Sequence, residues 1–330
     1  MRVTSFVQAI NEAIREEMLR DEKVFLMGED VRLSIFGTTK GIVDEFGTER
    51  VRNTPITEAT FVGVAAAAST TGVRPIVDLM SGNFTYVAMD QFANQVAKIR
   101  YMFGAQVTLP VVYLATTGAR GSAAAQHSDS VYPLFMNIGG LKVVVPGTPR
   151  DAKGLLKAAI RDDNPVIFFE PTALLGGDKG EVPEEEYTIL LGQADVKRTG
   201  VDVTVIAIGE MVRQALAAAE TLADEGIDVE VVDPRTLLPL DTETILASVH
   251  KTGRLVIVEG ARRRCGAGAE IAAVVAEECF EDLRAPIRRV AALDLPVPFS
   301  PPLEQFVVPD ANRVKAAVRA VCSETAPNKA

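Results

Sequence analysis

The sequence predicts an α/β chain of two domains, each built on a mostly parallel sheet. Three observations carry that prediction. Short, almost continuously apolar runs recur along the chain, as expected of strands buried on both faces. Stretches with helical start and stop signals separate them. The alternation lapses once, at residues 172–200, where Gly, Pro and an acidic cluster read as a linker with a short edge strand, and then resumes. At 330 residues the chain is long for one core. The domains are expected at 1–186 and 201–330, with 187–200 as a linker or edge region.

In chain order, Val7, Ile10, Ile14 and Met18 fall at helical spacing near the start. Strands follow at 24–28 (VFLMG), 74–80 (RPIVDLM), 109–116 (LPVVYLAT), 141–146 (LKVVVP) and 165–171 (PVIFFEP). Between them a helix is predicted over 57–72, opening with Thr57 as N-cap and closing at Gly72. A second is predicted over 88–104, from an acidic first turn to basic residues and a final Gly, and a third over 149–165. The second set alternates strand 202–209, helix 210–226, strand 228–235, helix 241–253, strand 254–260, a helix from 266 and strand 287–293. A last helix is expected over 310–324.

Composition excludes several classes of function. A net charge of −10 lacks the basic footprint of a nucleic-acid-binding protein. No run approaches the ~20 apolar residues that span a bilayer, and the first 30 residues do not read as a signal peptide. Three cysteines, Cys265, Cys279 and Cys322, show no CxxC spacing and suit a reducing compartment, so the cytoplasm is expected. Neither GxGxxG nor GxxxxGK[ST] is present, nor HExxH, GxSxG or any metal-ligand spacing. CGAGAE (265–270) opens a helix and superficially resembles a phosphate cradle, but its glycines equally permit close helix–strand packing.

Two residues stand out. Glu58, in NTPITEATFVG, falls in the first turn of a helix directly after a strand-to-helix loop. An acid there favours the helix dipole by ~0.3–1 kcal/mol, so spacing alone leaves a structural role open beside a catalytic one. His127 is one of only two histidines and follows the small-residue run GARGSAAAQ. That run reads either as a surface loop or as backbone thinned so that something bulky can approach. His250, near a helix C-terminus, reads as a solvated residue facing the negative helix end.

Longer stretches resemble a known family. RVRNTPITEATFVGVAAAASTTGVRPIVDLM, AMDQFANQVAKIRYMFG, AAAQHSDS, LKVVVPGTPRDAKGLLKAAIRDDNPVIFFE and VVDPRTLLPLDTETILASVHKTGRLVIVEG are similar, in order, to one family. It comprises the β subunits of thiamine-diphosphate-dependent 2-oxo acid dehydrogenase E1 components (pyruvate and branched-chain types) and of the related acetoin dehydrogenases, which are transketolase-like. The resemblance runs from about residue 3 to 320. It implies an N-terminal domain that binds the pyrimidine of thiamine diphosphate and a C-terminal transketolase-type domain. The diphosphate and Mg²⁺ would be held by a partner α subunit with a GDG…N motif, and no GDG occurs here. The assembly implied is an α₂β₂ heterotetramer that decarboxylates a 2-oxo acid and passes the acyl group to a lipoyl-bearing E2 acyltransferase.

By the same resemblance, Glu58 hydrogen-bonds the pyrimidine N1′ and favours the imino tautomer, so that the exocyclic nitrogen can accept the thiazolium C2 proton. Ile56, Met80 and Phe84 pack around the pyrimidine. His127 lines the substrate channel and assists transfer to the lipoyl group, suited by an unperturbed pKa of ~6.5. Val111, Ala159, Ile160, Asp162 and Asn164 match a monovalent-cation loop, implying K⁺. The chain departs from the commoner family pattern at Leu114 (often Arg), at Asp129 (often Gln) and at NIGGLKVV around Gly139. These departures bear on substrate identity and lipoyl transfer. Acetoin cleavage is therefore an alternative to 2-oxo acid decarboxylation, and a non-catalytic assembly subunit is a third.

Overall fold

The computed structural model describes residues 1–119 and 121–323 and divides them into two compact units. The first comprises Met1–Thr117 and Leu134–Leu191, and the second comprises Gly118–Pro133 and the described residues from Gly192 onward. The segment that carries His127 therefore clusters with the second unit, although the first encloses it in sequence.

The chain opens with β1 (Arg2–Ser5), α1 (Phe6–Arg20), β2 (Val24–Gly28), α2 (Ile42–Arg50), β3 (Val51–Asn53), α3 (Glu58–Ser69) and β4 (Arg74–Ser81). It continues with α4 (Ile99–Met102), β5 (Val112–Thr117), α5 (Tyr132–Met136), β6 (Lys142–Val144), α6 (Pro149–Arg161), β7 (Val166–Pro171), α7 (Thr172–Leu175) and β8 (Lys179–Val182). The strands pair in parallel in the order β6-β7-β5-β4-β2-β3. β1 and β8 form a separate antiparallel ribbon; β8 falls within the 172–200 stretch where a short edge strand is expected, whereas the sequence does not signal β1.

The apolar runs behave as predicted: every residue of β5 and β7 is buried. α1 turns Phe6, Ile10, Ile14 and Met18 into the same core as β2 and α6. Each such side chain contributes about 1.5–3 kcal/mol of transfer free energy. Along the α1–α6 contact, buried Lys153 and Lys157 pair with Glu16, and Arg161 pairs with buried Glu17. Burial of those charges is tolerable only because each is matched.

The helix predicted over 88–104 is corrected. The chain forms a 3₁₀ stretch over Gly82–Ala88, a π-helical stretch over Gln91–Val96 and then the single turn α4. The π register shows in the Ala97 N–H, which donates to the Phe92 carbonyl five residues back at 3.0 Å. Tertiary packing overrides helical periodicity here. Phe92 stacks edge-on against Tyr113 and Phe135, and a side chain at Gly140 would strike the Ala97 carbonyl at 1.9 Å. The predicted Thr57 cap is also absent: its hydroxyl donates to the Pro55 carbonyl and makes no cap bond to α3. The third helix ends at Arg161, with Asp162 already extended, short of the predicted 165.

The second unit contains β9 (Asp195–Arg198), β10 (Val203–Ala207), α8 (Met211–Ala223), β11 (Val229–Asp233), β12 (Thr236–Leu238) and α9 (Thr242–Thr252). It ends with β13 (Leu255–Arg262), α10 (Ala267–Glu278), β14 (Arg288–Ala292), α11 (Pro301–Val307) and α12 (Ala311–Ser323). Its sheet runs β14-β13-β10-β11-β9, parallel except for the antiparallel edge strand β9. Both units are α/β, as predicted. The last predicted helix is α12, and residue 324 onward lies outside the described residues.

Candidate active site

In the first unit the chain leaves β2 to pair β3 on one side and returns to pair β4 on the other. Strand order thus reverses at β2, and open parallel sheets bind ligands at the carboxyl ends of strands beside such a reversal. The acids collect there. Glu29 follows β2 directly and is 5% exposed, while Asp78 lies in β4 opposite Gly28. Gly28 has φ 148°, and a Cβ there would meet the Asp78 carbonyl at 2.1 Å, so only glycine allows this approach.

Glu58 is the first residue of α3 and is buried. It follows β3 through the loop 54–57, so the fold delivers it to the same strand end. The Glu29 carboxyl lies near enough to Glu58 for the two to interact electrostatically. Burial, with the neighbouring charges of Glu58, Asp30 and Asp78, pushes the Glu29 carboxyl up to about 7. Glu29 Oε1 and Thr54 Oγ1 are buried with no hydrogen-bond partner among the described residues. A polar ligand group at this strand end would satisfy such atoms, which otherwise cost stability.

Met80, the penultimate residue of β4, has φ 60°, a left-handed conformation held by its N–H donating to Asp78 Oδ1 at 2.8 Å. Strain of this kind persists where the surroundings fix the backbone and tends to sit at functional positions. Phe84 is half-buried in the following 3₁₀ stretch. Ile56 is 78% exposed in the loop before Glu58, a large apolar side chain that its own chain leaves uncovered. Leu114 is fully buried in β5 between Asp78 and Phe168, so this family departure is a core residue. Around Gly139 a side chain would meet nothing within 4 Å.

Sequence reading missed the other buried acids. Glu170, near the end of β7, is raised well above the usual carboxylate range, first by burial and then by Asp78. Asp78 itself is pushed up to about 6 by its enclosure, with the Met80 N–H opposing. The available signal was positional: acids at the carboxyl ends of apolar runs, in VFLMGED, RPIVDLM and PVIFFEP.

His127 is exposed in the second unit, at the end of a 3₁₀ turn whose His127 N–H donates to Ala124 O. The small residues before it do unusual backbone work. Gly118, Gly121, Ser122 and Ala124 all have positive φ, and Ala124 (61°, −172°) occupies a region glycine ordinarily fills. Three contacts tether this loop to the rest of the unit. Arg262 donates to Asp129 at 2.8 Å, the Ser122 N–H donates to Glu304 at 3.0 Å, and the Ala261 N–H donates to the Tyr132 hydroxyl at 3.2 Å. Asp129, the family departure, thus has a partner two residues from His127. Glu58 falls in the first unit and His127 in the second.

The five residues matched to a cation loop all lie in the first unit. The carbonyls of Val111 and Ala159 accept from the N–H groups of Val166 and Asp162. Arg74 donates to the carbonyls of Ile160 and Asp162 at 3.1 Å each. The Asp162 carboxylate pairs with Lys142, and the Asn164 side-chain oxygen accepts from Arg100.

Comparison with known proteins defines the class. Residues 3–177 match the family model of the transketolase pyrimidine-binding domain, and 192–314 match that of the transketolase C-terminal domain. A solved structure described as split-gene transketolase, inactive β4 tetramer, superposes with a TM-score of 0.79 at 26% identity, covering 97% of this chain and 99% of that one. The chain is therefore of the two-domain transketolase type. Among curated proteins it is 48% identical to the β subunit of acetoin:2,6-dichlorophenolindophenol oxidoreductase of Bacillus subtilis, covering 99% of each chain. It is 44% identical to the 2-oxoisovalerate dehydrogenase β subunit of the same organism (97% and 98% covered) and 45% identical to the pyruvate dehydrogenase E1 β subunit of Rickettsia felis (96% and 97% covered). The chain belongs to the family of β subunits of thiamine-diphosphate-dependent 2-oxo acid and acetoin dehydrogenases.

Proposed function

We propose that this chain, paired with an α subunit as α₂β₂, forms the E1 component that decarboxylates a 2-oxo acid and acylates the lipoyl group of an E2 acyltransferase. One observation carries the reading: the buried Glu29–Glu58 carboxyl pair, with an orphaned oxygen, at the strand-order reversal of a pyrimidine-binding domain. These residues fit an aminopyrimidine, whose ring nitrogens and amino group match that donor and acceptor set. Thiamine diphosphate, when bound, supplies the electron sink for the chemistry. Glu58 would hold the cofactor's pyrimidine N1′ by a hydrogen bond, and Glu29, half-protonated near neutrality, would support Glu58. Ile56, Met80 and Phe84 would form the apolar lining around the bound pyrimidine, Ile56 being covered only when cofactor or partner is in place. His127 stands on its tethered loop to meet substrate and the lipoyl arm.

The diphosphate and Mg²⁺ fall to the α subunit, in keeping with a chain that has no GDG triplet. For K⁺ the fit is to main-chain oxygens alone, because Lys142 and Arg100 already occupy the side-chain oxygens of Asp162 and Asn164. The carbonyls of Val111, Ala159 and Ile160 each retain a second lone pair. The cytoplasm is the compartment proposed, supported by three unpaired cysteines, and no helix among the described residues is long and apolar enough to cross a membrane.

A second reading, acetoin cleavage, is favoured by the identities: 48% to two acetoin-type β subunits against 44–45% to the branched-chain and pyruvate types. Dye reduction by the chain co-purified with its α partner, offered pyruvate, branched-chain 2-oxo acids and acetoin, separates the two. On the preferred substrate, Glu58→Gln is expected to lower turnover by about 10²–10⁴-fold with assembly intact. Full turnover in that variant would sink the assignment of Glu58 and favour an assembly-only subunit.

A further inference from the structure

In the second unit, α9 and the turn after α10 bring together three metal-ligand side chains that no part of the thiamine chemistry uses. His250 Nδ1 lies 2.6 Å from Asp282 Oδ2. Cys279 Sγ lies 3.5 Å from Nε2 and 3.8 Å from Nδ1 of the same ring. One donor atom from each residue falls within 4.8 Å of the others. Spacing in the sequence concealed this, because the ligands stand at 250, 279 and 282 on two elements.

We propose that His250, Cys279 and Asp282 bind a borderline-soft divalent cation of the zinc type. The donor set is one nitrogen, one sulfur and one oxygen, which suits zinc, whereas Mg²⁺ and Ca²⁺ take oxygen ligands. Bond lengths near 2.0–2.3 Å around a tetrahedral ion require donor–donor edges of about 3.3–3.6 Å. The observed 3.8 Å from Sγ to Nδ1 needs to close by a few tenths of an ångström, and the 2.6 Å from Nδ1 to Asp282 needs to open by under 1 Å. Rotation of two side chains achieves both, since the His250 and Asp282 side chains are 50% and 44% exposed.

The turn is otherwise fixed. Cys279 N–H donates to Val275 O at 2.8 Å and Asp282 N–H to Cys279 O at 3.0 Å, so two ligands sit on one closed turn. The site is shut on the sulfur side, where Cys279 is 1% exposed, and open on the His–Asp side for an entering ion and a water as fourth ligand. The same three groups in line resemble a thiol nucleophile with its base. A sulfur that is shut off from solvent has no room for a substrate to approach, whereas an ion reaches it between the other two ligands. A bound ion would staple the C-terminal end of α9 to the turn that closes α10.

Cobalt(II) and zinc(II) titrations of the full chain, purified with its α partner, test this. One equivalent of cobalt is expected to give the near-ultraviolet absorption of a cobalt–thiolate bond, displaced by zinc and unaffected by Mg²⁺. Cys279→Ser should abolish the band, His250→Ala should weaken binding at least tenfold, and Cys265→Ser should leave both intact. Free zinc at 100 times its Kd should shift the folding equilibrium of the second unit about 100-fold, and not in either ligand variant. Dye reduction should be unchanged in His250→Ala. Absence of the thiolate band in the folded wild-type chain, or equal zinc uptake by wild type and both ligand variants, would overturn the proposal.

Discussion

A carboxyl that titrates near 7 is half-charged under the conditions in which an enzyme of this class works, and Glu29 is such a group. Protonated, it sits beside Glu58 without repulsion, and its ionisation sets two carboxylates against each other. Dye reduction by the assembled enzyme should therefore fall as pH rises through about 7. Glu29→Gln, which keeps the hydrogen-bonding shape and cannot ionise, should flatten that limb. An unchanged profile would show that Glu29 does not govern it. Glu210 carries the corresponding argument for stability. Fully enclosed at the start of α8, it is pushed up to about 7 by burial, which outweighs the opposing charge of Arg213. A carboxyl raised in the folded state stabilises below its ordinary pKa of 4.5, and the contribution is lost as pH climbs to about 7. Glu210→Gln should thus gain on wild type by a few kcal/mol between pH 5 and pH 8, at ~1.4 kcal/mol per pKa unit. Denaturant unfolding at the two pH values measures it.

Elements whose character is set by burial were legible, and elements set by tertiary contact were not. β5 and β7 announce themselves as apolar runs because both faces are covered. The π-helical stretch was invisible because its packing partners, Tyr113, Phe135 and Gly140, lie well away in sequence. Glu58 and His127 were legible as oddities of position, and the family resemblance gave them roles. Glu29, Asp78 and Glu170 were not singled out, since their meaning depends on strands brought side by side. The Asp129–Arg262 pair has the same origin, and it yields a prediction for the loop as a unit. With so few side chains, the loop has few contacts to hold its strained backbone. Arg262→Ala should slow acyl transfer to a lipoyl domain about 3- to 10-fold, the effect of ~1 kcal/mol, while dye reduction changes less. Exchanging the charges (Asp129→Arg with Arg262→Asp) should recover part of the loss. Equal effects on both assays, with no recovery, would mark the pair as merely structural.

For the molecule as a whole, the apolar surface is as informative as the core. In the first unit Leu33, Ile56, Tyr101 and Met102 are 71%, 78%, 87% and 75% exposed, with Phe103 beside them at 59%. Single exposed apolar residues are ordinary, but a run of three consecutive large ones after the π-helical stretch, and an exposed isoleucine two residues from Glu58, are surface suited to a partner. Burying it at ~25 cal/mol per Å² is favourable whether the partner is an α subunit or another copy of this chain. The chain purified alone should therefore self-associate and show no dye reduction even with thiamine diphosphate and Mg²⁺, and addition of the α subunit should restore turnover. Tyr101→Asp combined with Met102→Asp places charge on that surface without touching the core, so the unfolding temperature should hold while assembly with the α subunit weakens by at least tenfold. Retained assembly would move the subunit interface elsewhere on the chain. A monomeric chain that turned over substrate unaided would overturn the proposed division of labour, in which the pyrimidine is held here and the diphosphate by the partner.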